Sequence, residues 1–300
     1  MKFLSLIKWV ALSATWNCNL KCKFCSIWKS KDNQYMDVGE LEKQFKTSGL
    51  NPAEIAVFGG EPTLHPDFVD IYKTLDRLFP NACKSVVTNG YGKAVEKLEQ
   101  LSKYNRNVIT CVSIDGDRET HNFHRGRDDS YDYALQSLAV CRKNFVRPPR
   151  ISFTITPDNI DCMPRVVEIC KIFGSDISMR TATCGNYFNG EIEIKWTRKD
   201  IKRLRKAINS VPEYLVCHAS FVNTIPDFLL TGRHFQCIAP FKSIAVDPDF
   251  GTRICHSREP ICQLKDVKDY WYKDKRHRET FNGSCFDKSC YIDSMYSLAY

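Results

Sequence analysis

The feature that most constrains the fold is an alternation. From Lys8 to Thr181, six short β-rich runs occur at Lys8–Ala14, Glu54–Phe58, Lys84–Thr88, Val108–Ile114, Arg150–Thr156 and Asp176–Thr181. Between them lie stretches with helical periodicity, Val38–Phe45, Asp67–Phe79, Lys93–Tyr104, Tyr131–Phe145 and Met163–Phe173. In Asp67–Phe79 the apolar positions Phe68, Ile71, Tyr72, Leu75 and Leu78 fall on one helical face. Strand–helix alternation is the pattern of parallel βαβ units. Six units predict an α/β fold, a partial (β/α)6 TIM-like barrel or open wound sheet, because a complete barrel takes about 250 residues. In either form the working groups sit at the carboxyl ends of the strands.

The pattern changes after residue 185. Thr197–Asn209 reads as one basic amphipathic helix, and from Cys237 the chain is rich in Cys, Gly, Pro and Asp with few helical runs. Three segments are expected: a partial-barrel core over 1–185, a connecting helical segment over 186–234, and a small cysteine-rich β-hairpin domain over 235–300. So short a last piece has a marginal core and calls for a metal staple.

Composition narrows the chemistry. Fifteen cysteines cannot all pair within one chain. Phe3–Ala14 is apolar enough to suggest a signal segment, but Lys8 interrupts it and no small-x-small cleavage site follows. No apolar run reaches membrane-spanning length. These features predict a cytoplasmic protein with no membrane partner, in which clustered thiols serve metal or redox chemistry rather than disulfides. The 43 basic against 35 acidic side chains give a net charge of +8, which suits an anionic cofactor or substrate. The densest basic stretch, Arg198–Lys206, has helical spacing and reads as a solvated helix face rather than a nucleic-acid patch.

The first strand runs into Thr15-Trp16-Asn17 and then Cys18, Cys22 and Cys25, spaced C-x3-C-x2-C with Phe24 before the third cysteine. Three thiolates on one loop can hold three irons of a 4Fe–4S cube and leave the fourth open to a ligand, whereas four cysteines close the cluster. A zinc knuckle needs a further nearby ligand, and the nearest downstream histidine, His65, lies far beyond Cys25, past the second strand. The second strand ends in Gly59-Gly60-Glu61-Pro62, where glycines allow close approach and Glu61 can accept from an ammonium group; a plain turn is the alternative. Thr88-Asn89-Gly90 ends the third strand, and Ser113-Ile114-Asp115-Gly116 the fourth, followed by Arg125-Gly126 and Arg127. An arginine fork matches a carboxylate. Cys83, Cys111, Cys141, Cys162 and Cys170 fall on apolar faces and read as packing residues. Near the C-terminus, Cys237 precedes a strand at Ser243–Val246, a turn at 247–251 follows, and the chain returns to Cys255, with Cys262 as a spare. A hairpin brings its ends together, and Cys285 and Cys290 would complete four thiolates. Coordination chemistry alone leaves zinc and iron–sulfur open there.

Taken together, the cysteine loop, Gly-Gly-Glu, Thr-Asn-Gly and Ser-x-Asp-Gly…Arg-Gly motifs resemble the radical S-adenosylmethionine (SAM) superfamily over residues 8–185. The hairpin resembles the short, twitch form of that superfamily's SPASM/twitch branch over 235–295; the stretch between matches no named family. Cys285 and Cys290 stand wider apart than the common C-x2-C, and the longer SPASM array is absent. The resemblance implies a SAM-binding 4Fe–4S cluster on Cys18, Cys22 and Cys25. It implies one auxiliary 4Fe–4S cluster on Cys237, Cys255, Cys285 and Cys290. Phe24, Gly59, Gly60, Glu61, Ser113, Asp115 and Arg125 would form the cofactor site, with the Glu61 segment at the methionine amino group, Ser113 and Arg125 at its carboxylate and ribose region, and Arg127 as an alternative to Arg125. The implied activity is reductive cleavage of SAM to a 5′-deoxyadenosyl radical that takes hydrogen from a substrate carbon, with electrons from a donor such as flavodoxin or ferredoxin. Oxidation or cross-linking of a peptide, or oxidation of a small alcohol or sugar, is the favoured outcome. Epimerisation needs a thiol hydrogen donor, for which Cys184, Cys217 and Cys262 are the candidates. The short stretch ahead of Cys18 leaves no room for a leader-peptide-binding domain there and weighs slightly against a peptide substrate. A structural zinc protein and a nucleic-acid binder are the alternatives of other classes.

Overall fold

The computed structural model describes residues 7–30, 34–182, 194–231, 242–254 and 259–273. All six expected strands form: β1 (Trp9–Thr15), β2 (Glu54–Gly59), β3 (Cys83–Thr88), β4 (Ile109–Ser113), β5 (Arg150–Ile155) and β6 (Ile177–Thr181). The helices between them are α1 (Val38–Ser48), α2 (Phe68–Leu78), α3 (Ala94–Tyr104), α4 (Arg118–Arg125), α5 (Ser130–Asn144) and α6 (Met163–Phe173). Helix α4 has no counterpart among the expected elements. Asp117 caps it, accepting from the Thr120 amide at 2.9 Å, and Gly126 ends it in the left-handed conformation.

Later elements are α7 (Arg198–Ser210), α8 (Ala219–Val222), α9 (Ile225–Thr231), β7 (Ser243–Val246), β8 (Gly251–Arg253), β9 (Cys262–Gln263) and α10 (Val267–Lys273). Thr197 and Asp200 form a capping box on α7. The basic face of α7 is met by carboxylates, Arg203 with Asp161 at 2.6 Å and Arg205 with Asp227 at 2.7 Å. That is how a solvated helix face is balanced. No helix of the described residues is long and apolar enough to cross a membrane.

The strands form one sheet in the order β6-β5-β4-β3-β2-β1-β7-β8-β9. Strands β1 to β6 pair in parallel. The expected hairpin forms from β7 and β8, but β7 also pairs in parallel with β1, from Trp9↔Ser243 to Leu12↔Val246. The free edge of β1 is thereby covered, satisfying amides and carbonyls that would otherwise stand open.

Alternation along the strands sorts two faces. Val10, Leu12, Ile55, Val57, Val112, Ile151, Phe153, Ile177, Met179, Ile244 and Val246 join the helix residues Leu41, Phe45, Ile71, Tyr72, Leu98 and Leu138 in one core. Burying each such side chain contributes about 1.5–3 kcal/mol. The opposite, inner face carries small and polar residues: Ala11, Ala56 and Ala245 pack with Trp9, and Ser113, Ser152 and Ser178 stand at matching register positions. The helix-covered face therefore supplies stability, and the inner face is left for the site.

Candidate cluster and cofactor site

The cysteine loop leaves the carboxyl end of β1 and lies against the end of α4. The Lys21 amide donates to the Arg125 carbonyl at 3.2 Å, and the Lys23 amide to that of His124 at 2.8 Å. A Cβ at Gly126 would stand 2.7 Å from the Lys21 carbonyl oxygen, so only glycine lets helix and loop meet. The Gly-Gly pair has the same cause: Cβ atoms at Gly59 and Gly60 would lie 2.3 and 2.2 Å from the carbonyl oxygens of Thr15 and Asn17. These glycines let β2 reach the backbone that launches the cysteine loop. From β3, the Asn89 side-chain amide donates to Asn19 Oδ1 at 2.9 Å and lies 3.9 Å from Cys18 Sγ. Asn19 in turn donates to the Tyr91 carbonyl at 3.1 Å. The Thr-Asn-Gly turn thus braces the loop.

Glu61 is fully buried, and both its oxygens are engaged within the protein. Oε1 accepts from the hydroxyls of Thr63 and Thr88, both at 2.6 Å, and from the Thr63 amide at 3.2 Å. Oε2 accepts from the Asn89 amide at 2.7 Å. Burial raises its pKa, and these donors oppose the rise. Glu61 therefore ties the end of β2 to the end of β3. Glu61→Ala is expected to cost about 3–5 kcal/mol, since it strands several buried donors. Urea unfolding checks this; a loss below about 1 kcal/mol, the scale of an exposed pair, would contradict the brace.

The three thiols are buried or nearly so. Burial pushes all three up, with the neighbouring thiol adding to the rise at Cys18 and at Cys25, which reaches about 12. At Cys22 the Arg125 guanidinium opposes the rise, and its Nη1 lies 3.8 Å from Cys22 Sγ. Thiols so disposed are protonated until a cation takes them, and metal loading would release those protons. Among the described residues, no three Cys, His, Asp or Glu side chains converge as around one metal ion. Three thiols spread along a loop fit a cube in which each takes a different iron.

Arg125 is held in turn. Its Nε donates to Asp115 Oδ2 at 2.6 Å, and the pair is almost wholly buried. Asp115 Oδ1 accepts from the Thr154 amide at 3.0 Å, and the Asp115 amide donates to His121 Nδ1 at 3.1 Å. Burial and Arg125 push His121 down to about 3, so it stays neutral and can accept that bond. Burial works to raise the Asp115 pKa, but the Arg125 guanidinium beside it prevails and lowers it. The Phe24 ring lies 5.4 Å from the Arg125 guanidinium carbon and meets the edge of His124 at 6.0 Å. Ser113, on the inner face of β4, completes the sequence-derived set.

The other cysteines divide. Cys184, Cys237, Cys255, Cys285 and Cys290 lie outside the described residues. Cys217 stands at the amino end of β6: its amide donates to the Ile177 carbonyl and its thiol to Asp176 Oδ2 at 2.9 Å, beside Arg150. A strand's length, about 16 Å, separates that end from the cysteine-loop end. Cys262 packs against the helix-covered core rather than the inner face. Neither placement suits a hydrogen donor to a substrate over the loop. Two cysteines read as apolar packing have polar settings instead. Cys162 lies 3.3 Å from Thr120 Oγ1, and Cys111 is on the inner face in register with Arg150, two positions before Ser113. Sequence reasoning also missed the bracing roles of Asn89 and His121.

A loop of three thiols at the carboxyl end of the first strand, beside a buried arginine, is an arrangement that could hold an iron–sulfur cluster. Residues 12–170, just over half of the chain, match the family described as the radical SAM superfamily, and the chain belongs to it. It is 30% identical to the sporulation killing factor maturation protein SkfB of Bacillus subtilis over 170 residues, covering 55% of this chain and 40% of SkfB. It is 32% identical over 252 residues to the antilisterial bacteriocin subtilosin biosynthesis protein AlbA of the same organism, covering 80% of this chain and 53% of AlbA. The chain thus spans about half or less of the length of these two relatives. In fold it is similar to Streptococcus suis SuiB bound to S-adenosylmethionine, with TM-score 0.71, 17% identity, and 96% of this chain and 72% of that one covered. The anSMEcpe enzyme with bound AdoMet gives TM-score 0.69 at 19% identity, over 90% and 82%.

Proposed function

We propose that the chain is a peptide-modifying radical SAM enzyme that oxidises or cross-links its substrate, with Cys18, Cys22 and Cys25 holding the catalytic cluster. The observation that carries this reading is the loop itself: three thiols braced by Asn89, Arg125 and the Gly-Gly pair at the mouth of a small, polar inner face. A peptide substrate is supported by the names of SkfB and AlbA and by the structure of SuiB with its precursor peptide SuiA. When bound, the reduced cluster and SAM supply a 5′-deoxyadenosyl radical able to take hydrogen from an unactivated carbon. The chain's own contribution is placement. Arg125 keeps a positive charge against Cys22, Asp115 and His121 keep Arg125 in position, and the sheet and its helices exclude water. An auxiliary 4Fe–4S cluster on Cys237, Cys255, Cys285 and Cys290 and a flavodoxin or ferredoxin donor belong to the same proposal.

Oxidation is preferred over epimerisation because neither described candidate donor, Cys217 or Cys262, lies on the inner face near the loop. Turnover of a precursor peptide in heavy water tests this. The expected product is lighter by two hydrogens and carries no deuterium at the reacting carbon. A product of unchanged hydrogen count with one solvent deuterium, lost on replacing Cys184, Cys217 or Cys262 with alanine, would overturn it.

A further inference from the structure

Three arginines at the sheet are matched by carboxylates: Arg125 by Asp115, Arg150 by Asp176 and Arg253 by Asp247. Arg180 is different. It lies on β6 in register with Thr154, and the residues flanking it, Met179 and Thr181, pair with Phe153 and Ile155. Phe153, Ile155 and Met179 belong to the helix-covered core, so alternation puts Arg180 on the inner face with Ser152 and Ser178. Its Nη2 donates to Ser152 Oγ at 2.7 Å, a diagonal cross-strand contact, while its Nε is buried without a hydrogen-bond partner. Among the described residues no carboxylate pairs with it. A guanidinium partly withdrawn from water, steered by a hydroxyl and left with an open donor, is a site for an oxyanion.

Its position is functional ground. Thr154, one strand spacing (about 4.8 Å) from Arg180, donates its amide to Asp115, which holds Arg125, which touches Cys22. Ser113 pairs with Ser152 on the same face. Arg125 is already committed to Asp115 and Cys22. Among the described residues, Arg180 is therefore an inward cation with a donor to spare.

We propose that Arg180, with Ser152 beside it and Ser113 paired to Ser152 on the next strand, is a carboxylate-binding anchor on the inner wall of β4 to β6. This rests on the reading of the cysteine loop as a SAM site. The carboxylate comes from one of two sources, the methionine part of SAM or the substrate. A guanidinium–carboxylate contact contributes enough to change affinity by about tenfold.

The test compares reconstituted wild-type protein with R180Q and R180K. One arm measures binding of SAM and of decarboxylated SAM. The other measures acetate by saturation-transfer NMR, without SAM. If the anchor takes the methionine carboxylate, R180Q weakens SAM about tenfold and leaves the decarboxylated analogue unchanged, with R180K in between. If it takes a substrate carboxylate, SAM binding holds and the acetate signal falls in R180Q but persists in R180K. Unchanged binding in both arms would overturn the anchor. So would equal loss of SAM and its decarboxylated analogue, because the effect would not follow the carboxylate. Wild-type protein that takes up no SAM would instead count against the cofactor reading, and the acetate arm still judges the anchor.

Discussion

Replacing Cys18, Cys22 and Cys25 together with alanine is expected to reduce 5′-deoxyadenosine formation from SAM and reductant to background. Each thiol would hold one iron of the cube, and no other described thiol stands close enough to substitute. Cys111 lies down the inner face and Cys162 lies among Thr120 and Asp117. The fold itself should survive, because the loop is held by backbone bonds from Lys21 and Lys23 and by the close glycine contacts rather than by the thiols. Iron analysis of the same variant bears on the auxiliary site. Wild type should carry about eight irons and the variant about four, as expected for two cubes. Zinc in the remaining half would contradict the auxiliary-cluster proposal. Residual 5′-deoxyadenosine above background would contradict the loop assignment.

Asp115→Asn is expected to destabilise the protein by about 3–5 kcal/mol, the scale for breaking one side of a buried ion pair. The Arg125 charge would remain almost wholly buried without its counter-ion, and an amide would replace the carboxylate that now accepts from both Arg125 and Thr154. The double variant with Arg125→Gln should recover part of the loss, since no charge is then stranded. The native pKa of Asp115 is lowered, so its contribution is present above the ordinary carboxylate range and is lost as pH falls through the native pKa. Urea unfolding of wild type and variant at neutral and acid pH reads this directly: the gap between them should narrow on acidification. A gap independent of pH would contradict the ion-pair account.

The barrel was legible because its elements are local and strongly periodic. Met163–Phe173 is a helix with the expected bounds, and the other core helices differ only slightly at their ends. Helix α4 escaped notice because Arg-Glu-Thr-His-Asn-Phe-His-Arg has no apolar stripe; capping by Asp117 and Gly126 defines it instead. The pairing of β7 with β1 joins segments far apart in sequence and leaves no local signal. At the site, the motifs located the right region, but the side-chain roles needed geometry. Gly59 and Gly60 answer to the cysteine-loop backbone, and Glu61 binds Thr63, Thr88 and Asn89. Arg180 sits in a run, Ile-Ser-Met-Arg-Thr, that reads only as a strand until its register with β5 shows which face it takes.

On this account the loop cluster leaves one iron open for SAM. Electron paramagnetic resonance of the reduced, reconstituted protein tests that most directly, using a variant with Cys285 and Cys290 replaced by alanine so that one cluster dominates the signal. Adding SAM should shift the g-values of the 4Fe–4S signal, as coordination to the open iron requires. A 4Fe–4S signal unchanged by saturating SAM, or a protein that loads zinc and gives no such signal, would contradict the account.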